Sequence, residues 1–260
     1  MTTLKRSHDR KVANLATPNG KASKIQNAFG LPAGRAYSCP GATSICERVC
    51  YAGKLEKVYK GVKAALIHNW DLLTGTDQAG MVALLREMIG QFDSDCVKRN
   101  APKAFRIHWD GDFFSREYAA AWAIVIRENP SIQFWVYTRS FLPGNNVVDL
   151  LVGIDNLAVY LSVDSDNAEW APVIVAEYPS IKVALLADTM VNAGIGIAAI
   201  RSDDKPGAAC PELVGQLPLI TVNGGACFTC QLCPKGKADI RFAFEKKGRV
   251  NGKRPELVKA

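Results

Sequence analysis

Several familiar signals are absent from this chain of 260 residues. The N-terminus "MTTLKRSHDRKVANL" carries basic residues but no apolar run after them, so it is not a secretory signal. No stretch reaches the roughly 18–20 apolar residues of a membrane span, because Lys182, Asp188 and Asn192 interrupt the nearest candidate. A P-loop, a serine nucleophile elbow and a G-x-G-x-x-G fingerprint are also missing. We therefore expect a cytoplasmic protein with no membrane partner.

The formal net charge of +7 permits an acidic partner such as nucleic acid. The densest basic runs lie near the two termini, around Lys5 and Lys246, where solvated tails are the simpler interpretation. Aromatic and basic residues are not interleaved in any single stretch, as a surface for single-stranded nucleic acid would require. Nucleic-acid binding is therefore the weaker expectation.

Apolar segments with polar exits alternate with stretches of helical periodicity, which predicts βαβ units and a parallel sheet. The predicted strands cover 103–114, 132–140, 157–165, 181–189, 194–204 and 217–225. The predicted helices cover 56–73, 76–92, 116–129, 145–154 and 167–178, with Thr76 or Asp77 and Ser115 as N-caps. The length suits an α/β fold of the (β/α) barrel kind, full or partial and TIM-like. We divide the chain into an N-terminal arm (1–35), a barrel core with a cysteine loop (36–205) and a cysteine-rich C-terminal segment that completes the barrel (206–260).

Four predicted strands end in polar residues. These are His108, Asp110 and Asp112; Thr138 and Arg139; Ser162 and Asp164; and Asp188. In a parallel barrel such strand ends meet on the face that holds the active site. The simpler alternative is that these residues shape turns and cap the helices that follow.

Eight cysteines fall into two groups and one single residue, Cys96, which we interpret as a small buried hydrophobe. In a cytoplasmic protein clustered cysteines indicate metal binding or redox chemistry rather than structural disulfides. The C-terminal group is Cys210, Cys227, Cys230 and Cys233. Its C-x2-C-x2-C-P run resembles the cluster-binding run of bacterial ferredoxins, and a structural zinc site is the rival interpretation. Gly224 and Gly225, just before the run, would let the backbone fold closely around a cluster.

The N-terminal group is Cys39, Cys46 and Cys50, in a C-x6-C-x3-C pattern followed by Tyr51. Three thiolates can hold three irons of a [4Fe–4S] cube and leave the fourth iron open. The alternative is that these cysteines complete the same cluster as the C-terminal group. One cluster or two is therefore open from the sequence.

This combination resembles the radical S-adenosylmethionine enzymes, in which three cysteines hold a [4Fe–4S] cluster at the mouth of a full or partial (β/α) barrel. The common spacing there is C-x3-C-x2-C, with the aromatic residue before the last cysteine. "CPGATSICERVCYA" and the cysteine-rich C-terminus are most similar to the bacteriophage family called gene product 88. The resemblance implies a phage-encoded protein in the host cytoplasm.

The resemblance also implies site roles. Cys39, Cys46 and Cys50 would hold the cluster, and its open iron would bind S-adenosylmethionine. Asp112 would contact the amino group of this cofactor, Arg139 its carboxylate, and Ser162 and Asp164 its ribose or amine. His108 and Asp110 are further candidates on the same strand exit as Asp112.

Three functions follow as hypotheses. The first is an iron–sulfur enzyme that cleaves S-adenosylmethionine reductively, served by an electron donor and acting on a small-molecule substrate. The second is a non-catalytic [4Fe–4S] protein with a fully ligated cluster, used for electron transfer or redox sensing. The third is a zinc-stabilised nucleic-acid-binding protein.

Overall fold

The computed structural model describes residues 3–13, 25–221 and 223–244. Within these ranges the α-helices are α1 (Ser44–Val49), α2 (Tyr51–Val58), α3 (Lys60–Thr74), α4 (Gln78–Lys98), α5 (Arg116–Glu128), α6 (Val148–Leu151), α7 (Ala171–Glu177), α8 (Met190–Arg201) and α9 (Ala226–Cys230). The strands are β1 (Ala28–Gly30), β2 (Ala104–Asp110), β3 (Gln133–Thr138), β4 (Phe141–Leu142), β5 (Asn145–Asn146), β6 (Leu157–Val163), β7 (Lys182–Ala187), β8 (Ala208–Ala209), β9 (Ile220–Thr221), β10 (Gly224–Gly225) and β11 (Ile240–Ala243). Short 3-10 turns cover Arg10–Val12 and Ala168–Trp170. None of the described helices is long and apolar enough to cross a membrane.

Seven strands form one parallel sheet in the order β1-β2-β3-β6-β7-β11-β8. The predicted parallel α/β architecture is therefore confirmed. Among the described residues β1 and β8, at the two edges, do not pair with each other, so the sheet stays open and the closed TIM-like form is not found. The predicted arm contributes an edge strand, β1, and the predicted C-terminal segment contributes β8 and β11.

Helices α4 to α8 pack on one face of the sheet. Phe105, Phe134 and Leu161 of the strands share this core with Trp122 of α5, and all four are fully buried. The centre of the Phe105 ring lies 6.4 Å from that of the Trp122 ring. Side chains that alternate along a strand point to opposite faces, so the strand periodicity of the sequence decides which residues enter this core. Burial of each large apolar side chain contributes about 1.5–3 kcal/mol.

Capping side chains fix the ends of the long helices. Asp77 Oδ1 accepts a hydrogen bond of 2.9 Å from Gly80 N at the start of α4, and Ser115 Oγ accepts one of 3.2 Å from Tyr118 N at the start of α5. The predicted cap at Ser115 is confirmed, and of the two candidates for α4 the structure uses Asp77. Such a cap contributes about 1 kcal/mol.

The opposite face of the sheet, which we call the inner face, is covered by the C-terminal segment and by the start of the chain. Trp135, Tyr160 and Ala184 line this face and pack against Val12 and Cys233. On this face two ion pairs hold the first residues in place: Asp9 with Arg106 at 2.8 Å and Lys11 with Glu212 at 2.8 Å. The described start of the chain therefore acts as a cover over this face.

Gly224 and Gly225 serve this cover rather than the cysteines. A Cβ on Gly225 would overlap the carbonyl oxygens of Arg10 and Lys11, and one on Gly224, whose φ is +119°, would overlap that of Ala13. Gly225 N donates a 2.9 Å hydrogen bond to Ala13 O. The close backbone approach expected around a cluster is therefore made to the N-terminal segment.

Two predicted strands are wrong. Residues 194–204 lie largely in helix α8, because Thr189 caps it and Ala193, Ile197 and Ile200 bury one helical face. Residues 217–225 contain only the two-residue strands β9 and β10, which pair with each other outside the main sheet. The basic run near Lys246 lies outside the described residues.

We expect Gly225→Ala to destabilise the protein, because its methyl group would displace the backbone of Arg10 and Lys11. Thermal unfolding should show a fall in the unfolding free energy of about 1–3 kcal/mol. The matched control is Gly90→Ala in the body of α4, where a Cβ meets nothing within 4 Å. Alanine there should stabilise the helix by about 0.5–1 kcal/mol. Equal effects of the two changes would contradict the packing of the cover.

Candidate metal centres

Cys39, Cys46 and Cys50, which we call the trio, lie in the segment that follows β1. Cys39 precedes α1, Cys46 lies within α1, and Cys50 separates α1 from α2. Cys50 Sγ accepts a 3.3 Å hydrogen bond from Gly53 N and so caps α2. All three thiols are free and partly buried.

The trio lies over the carboxyl ends of three strands. Ser38 Oγ, next to Cys39, accepts a hydrogen bond of 3.3 Å from Asp112 N, just beyond β2. Cys46 lies near Arg139, just beyond β3, and near Asp164, just beyond β6. Because they are close, Arg139 lowers the pKa of the Cys46 thiol and Asp164 raises it. In parallel α/β proteins this edge of the sheet is where ligands bind.

A buried ion pair holds the cysteine segment against the sheet. Arg139 Nη1 donates to Asp164 Oδ2 at 2.7 Å, and both side chains are almost fully buried. Thr43 Oγ1 donates to the same carboxylate oxygen at 2.6 Å and accepts from Cys46 N at 3.0 Å. One hydroxyl group therefore links the N-cap of α1 to the strand ends.

The carboxylate of Asp112 is buried and hydrogen-bonded on both oxygens. Its carboxylate accepts hydrogen bonds from Thr138 Oγ1 at 2.7 Å, Arg139 N at 2.7 Å and Phe113 N at 2.8 Å. Burial raises the pKa of Asp112 to about 6, and these hydrogen bonds limit the rise. The carboxylate orders the turn after β2, which includes Gly111 at a φ of +80°.

Asp110 lies on the side of Cys50. Burial and the neighbouring carboxylate of Glu56 raise the pKa of Asp110 to about 8. Its Oδ1 accepts from Gly111 N at 2.9 Å, and its carboxyl group shares a hydrogen bond with that of Glu56. Asp110 therefore combines a turn-forming contact with a carboxyl–carboxyl contact.

His108 does not join this group, although the strand alternation predicted it would share a face with Asp110 and Asp112. Its φ of +58° breaks the alternation and turns the imidazole into the helix layer. There Nε2 lies 2.9 Å from the Tyr118 hydroxyl, and the ring packs against Phe113. Burial lowers the pKa of His108 to about 3, so it stays neutral.

The predicted Arg139 and Asp164 lie beside the trio but bind each other. Ser162 lies apart from them, on the inner face, where it lines a large cavity. Asp188, after β7, is exposed. Its carboxylate accepts hydrogen bonds from Thr189 N and Asn192 Nδ2 at the start of α8. The sheet thus brings Asp112, Arg139 and Asp164 to the trio and leaves Ser162 and Asp188 elsewhere.

The thiols of the trio share one electrostatic environment. Burial raises the pKa of each, and negative charge nearby raises it further: Asp112 and Cys46 at Cys39, Cys50 at Cys46, and Asp110 at Cys50. Arg139 acts in the opposite direction on Cys46. Buried thiols that raise one another's pKa are stable as thiolates only with a cation among them.

Cys210, Cys227, Cys230 and Cys233, which we call the quartet, line one small cavity beneath the C-terminal segment. Cys210 follows β8, Cys227 and Cys230 lie in α9, and Cys233 follows it. Burial raises the pKa of Cys233 to about 12, and Cys210 and Cys230 add to the rise. The four cysteines thus come to one cavity from two separate places in the chain.

Cationic and hydroxyl groups surround the quartet. Lys11 lowers the pKa of the Cys210 thiol, and Arg106 lowers that of Cys227. A hydrogen bond with Tyr137 lowers the pKa of Cys233. Tyr160 donates its hydroxyl to Leu232 O and so fixes the backbone beside Cys233. Positive charge and hydrogen-bond donors are what thiolate ligands of a metal or cluster require around them.

Both sets fit iron–sulfur ligation in donor chemistry and number: free thiols, three in one place and four in another. In the described ranges no three His, Cys, Asp or Glu side chains are set to bind one metal ion.

A cavity of about 940 Å³ lies on the inner face, between helices α2 and α3, the first residues of the chain and the quartet. Tyr51, directly after Cys50, lines it and donates a 3.0 Å hydrogen bond from its hydroxyl to Trp109 O. Cys227 and Cys233 line the same cavity. The cavity therefore lies beside the quartet, and from the trio's side of the chain it meets the helix that follows Cys50.

Two functional residues were missed by the sequence reasoning. Thr43 gives no signal beyond a helix cap, because its second role depends on Asp164, 121 positions away. Arg106 does carry a signal: an arginine in the apolar body of a buried strand is rare unless it is paired.

A family model described as "Gene product 88" matches residues 2–236. A curated relative named "Gene 88 protein", from Mycobacterium phage L5, is 45% identical over 250 residues, which is 95% of this chain and 100% of the relative. Another of the same name, from Mycobacterium phage D29, is 44% identical over 251 residues, with the same shares of 95% and 100%. No solved structure matches the chain. The predicted family is confirmed: the chain belongs to the gene product 88 family.

Proposed function

We propose that the protein is an iron–sulfur enzyme with two [4Fe–4S] clusters. The observation that carries the proposal is the gathering of seven free thiols into two sets, three at the carboxyl edge of a parallel sheet and four beneath the C-terminal segment. The trio would hold a cluster with one open iron, and the quartet would hold a fully ligated one.

The trio lies at the carboxyl ends of the strands, as the cluster lies at the mouth of the barrel in the radical S-adenosylmethionine enzymes that the sequence resembles. The chemistry that a bound cluster supplies in those enzymes is one-electron reductive cleavage of S-adenosylmethionine to a carbon radical. The chain's own residues would position this site. Arg139 and Asp164 hold the segment in place through Thr43, and Asp112 orders the turn beneath Cys39.

A second candidate, a non-catalytic redox protein, is favoured by one observation. Asp112 and Arg139, the residues expected to bind S-adenosylmethionine, are already engaged with Thr138 and Asp164. A site whose polar groups satisfy each other needs no further ligand. In this second candidate the trio's cluster would not cleave S-adenosylmethionine but would transfer electrons or sense oxidation.

The first test is the metal content after purification without oxygen. We expect about eight iron and eight sulfide per chain, as two cubic clusters contain. Cys46→Ala and Cys230→Ala should each remove about half of both. Cys96→Ala, at a lone buried cysteine whose Sγ contacts Pro102 O, is the matched control and should keep the full content. Zinc in place of iron would overturn the proposal.

The second test separates the two candidates by electron paramagnetic resonance of the reduced protein. If the trio's cluster has an open iron, S-adenosylmethionine should change its spectrum, because the cofactor becomes a ligand. The change should persist in Cys230→Ala and vanish in Cys46→Ala. A wild-type spectrum that the cofactor leaves unmoved would favour the redox protein.

The third test addresses the ion pair beneath the trio. Arg139→Gln leaves Asp164 buried without its counter-charge, which costs about 3–5 kcal/mol. We expect lower thermal stability and the loss of about half the iron, with the quartet's share retained. The matched control is Arg116→Gln, whose pair with Asp149 is about half exposed and contributes about 0–1 kcal/mol. If Arg139→Gln kept all its iron, the ion pair would have no part in holding the trio.

A further inference from the structure

The large cavity on the inner face has the size and walls of a small-molecule site. Its volume of about 940 Å³ lies within the usual range of ligand pockets, roughly 300–1,000 Å³. Six aromatic side chains line it: Tyr51, Tyr59, Trp109, Trp135, Tyr137 and Phe242. Walls of this kind favour a flat ring, which can stack on them or meet their edges.

Charge in the cavity favours an anion. Arg10, Lys11 and Arg106 line it, against Asp9 and Glu212. Both carboxylates are already paired, Asp9 with Arg106 and Glu212 with Lys11, at 2.8 Å each. The acidic groups are therefore neutralised where they lie, and a cationic ligand would find no unpaired carboxylate among the described lining residues.

Arg106 keeps one N–H group that the described residues do not use. Its Nη1 donates to Asp9, the Tyr51 hydroxyl is a further hydrogen-bond partner, and the guanidinium lies 5.6 Å from the centre of the Tyr137 ring. Its Nε is buried and has no acceptor among the described residues. A guanidinium with a free N–H beside aromatic rings is a recognition group for a carboxylate or phosphate.

We propose that this cavity binds a flat aromatic molecule carrying one acidic group, with the ring among the aromatic side chains and the acidic group at Arg106. The inference rests on the proposed function for the role of this molecule, which is the substrate of the same enzyme. The acidic group is a carboxylate or a phosphate, so the molecule is an aromatic acid or a nucleotide.

The test is isothermal titration calorimetry of the anaerobically purified protein with two matched pairs of probes. Indole-3-acetate is compared with neutral indole-3-acetamide, and adenosine 5′-monophosphate with adenosine. We expect saturable binding of one anion, at least about tenfold tighter than its neutral partner, since a charge-assisted hydrogen bond distinguishes them. The anion that binds identifies the source of the acidic group.

Two variants check where the probe binds. Ala65→Trp places a large ring in the cavity wall from α3 and should abolish binding, whereas Ala64→Trp, on the exposed side of the same helix, should leave it unchanged. The double variant Asp9→Asn/Arg106→Gln removes the ion pair without leaving either charge unpaired. It should reduce the difference between anion and neutral partner to less than about twofold.

Failure of this inference is distinguishable from failure of the proposed function, because iron content is measured on the same samples. Full iron with no saturable binding of any probe, or equal affinity for anion and neutral partner, overturns the substrate class alone. Probe binding that survives Ala65→Trp overturns the location. Tight anion binding by a protein without iron keeps the site and overturns the enzyme.

Discussion

The buried ion pair between Arg139 and Asp164 is the constraint on which the arrangement of the trio depends. It joins residues just beyond β3 and β6, and through the Thr43 hydroxyl it also fixes the start of the helix that carries Cys46. A buried pair of this kind stabilises little by itself, because desolvation offsets most of the attraction. The pair instead fixes where the cysteine segment lies. Any arrangement that broke the pair would leave a buried charge without its partner, so the arrangement that keeps the pair is favoured. Asp112, with three hydrogen-bond donors, extends the same constraint to the end of β2.

The two cysteine sets differ in what surrounds them. Carboxylates lie near the trio, where Asp112 and Asp164 raise the pKa of the Cys46 thiol and Arg139 lowers it. Around the quartet, Lys11 and Arg106 lower the thiol pKa values more than their partners Glu212 and Asp9 raise them, and the Tyr137 hydroxyl is hydrogen-bonded to Cys233. Negative charge disfavours added negative charge, so carboxylates near a cluster stabilise its oxidised form, while cations and hydrogen-bond donors stabilise the reduced form. In the proposed function the quartet's cluster would therefore be the easier one to reduce, and the trio's cluster the stronger reductant.

The parts that the sequence predicted are those that depend on local pattern. The apolar bodies of β2, β3, β6 and β7, the caps at Asp77 and Ser115, and the two cysteine groups all follow from residues close together in the chain. The errors arise where distant contacts decide. "GIGIAAI" fits an alternating pattern as well as a helical one, and the packing of Ile197 against the sheet selects the helix. The inward turn of His108 depends on a positive φ that no residue pattern announces, and β1, β8 and β11 have too few residues to show a period.

Arg106 contacts the cover, the cavity and the quartet, so one positive charge acts on all three parts of the inner face. Its guanidinium pairs with Asp9 of the cover, faces the ring of Tyr137, and acts on the thiol of Cys227. In the proposed function the quartet's four thiolates, binding iron and sulfide, would add negative charge to this region, and an acidic ligand would add more. Both depend on the same cation, so each weakens the other's electrostatic stabilisation. Loss of an electron from the quartet's cluster would reduce the negative charge near Arg106, and the anionic ligand would then bind more tightly. By reciprocity, a bound anion would make that cluster harder to reduce. In the proposed function, ligand binding and electron transfer on the inner face would therefore be linked through Arg106.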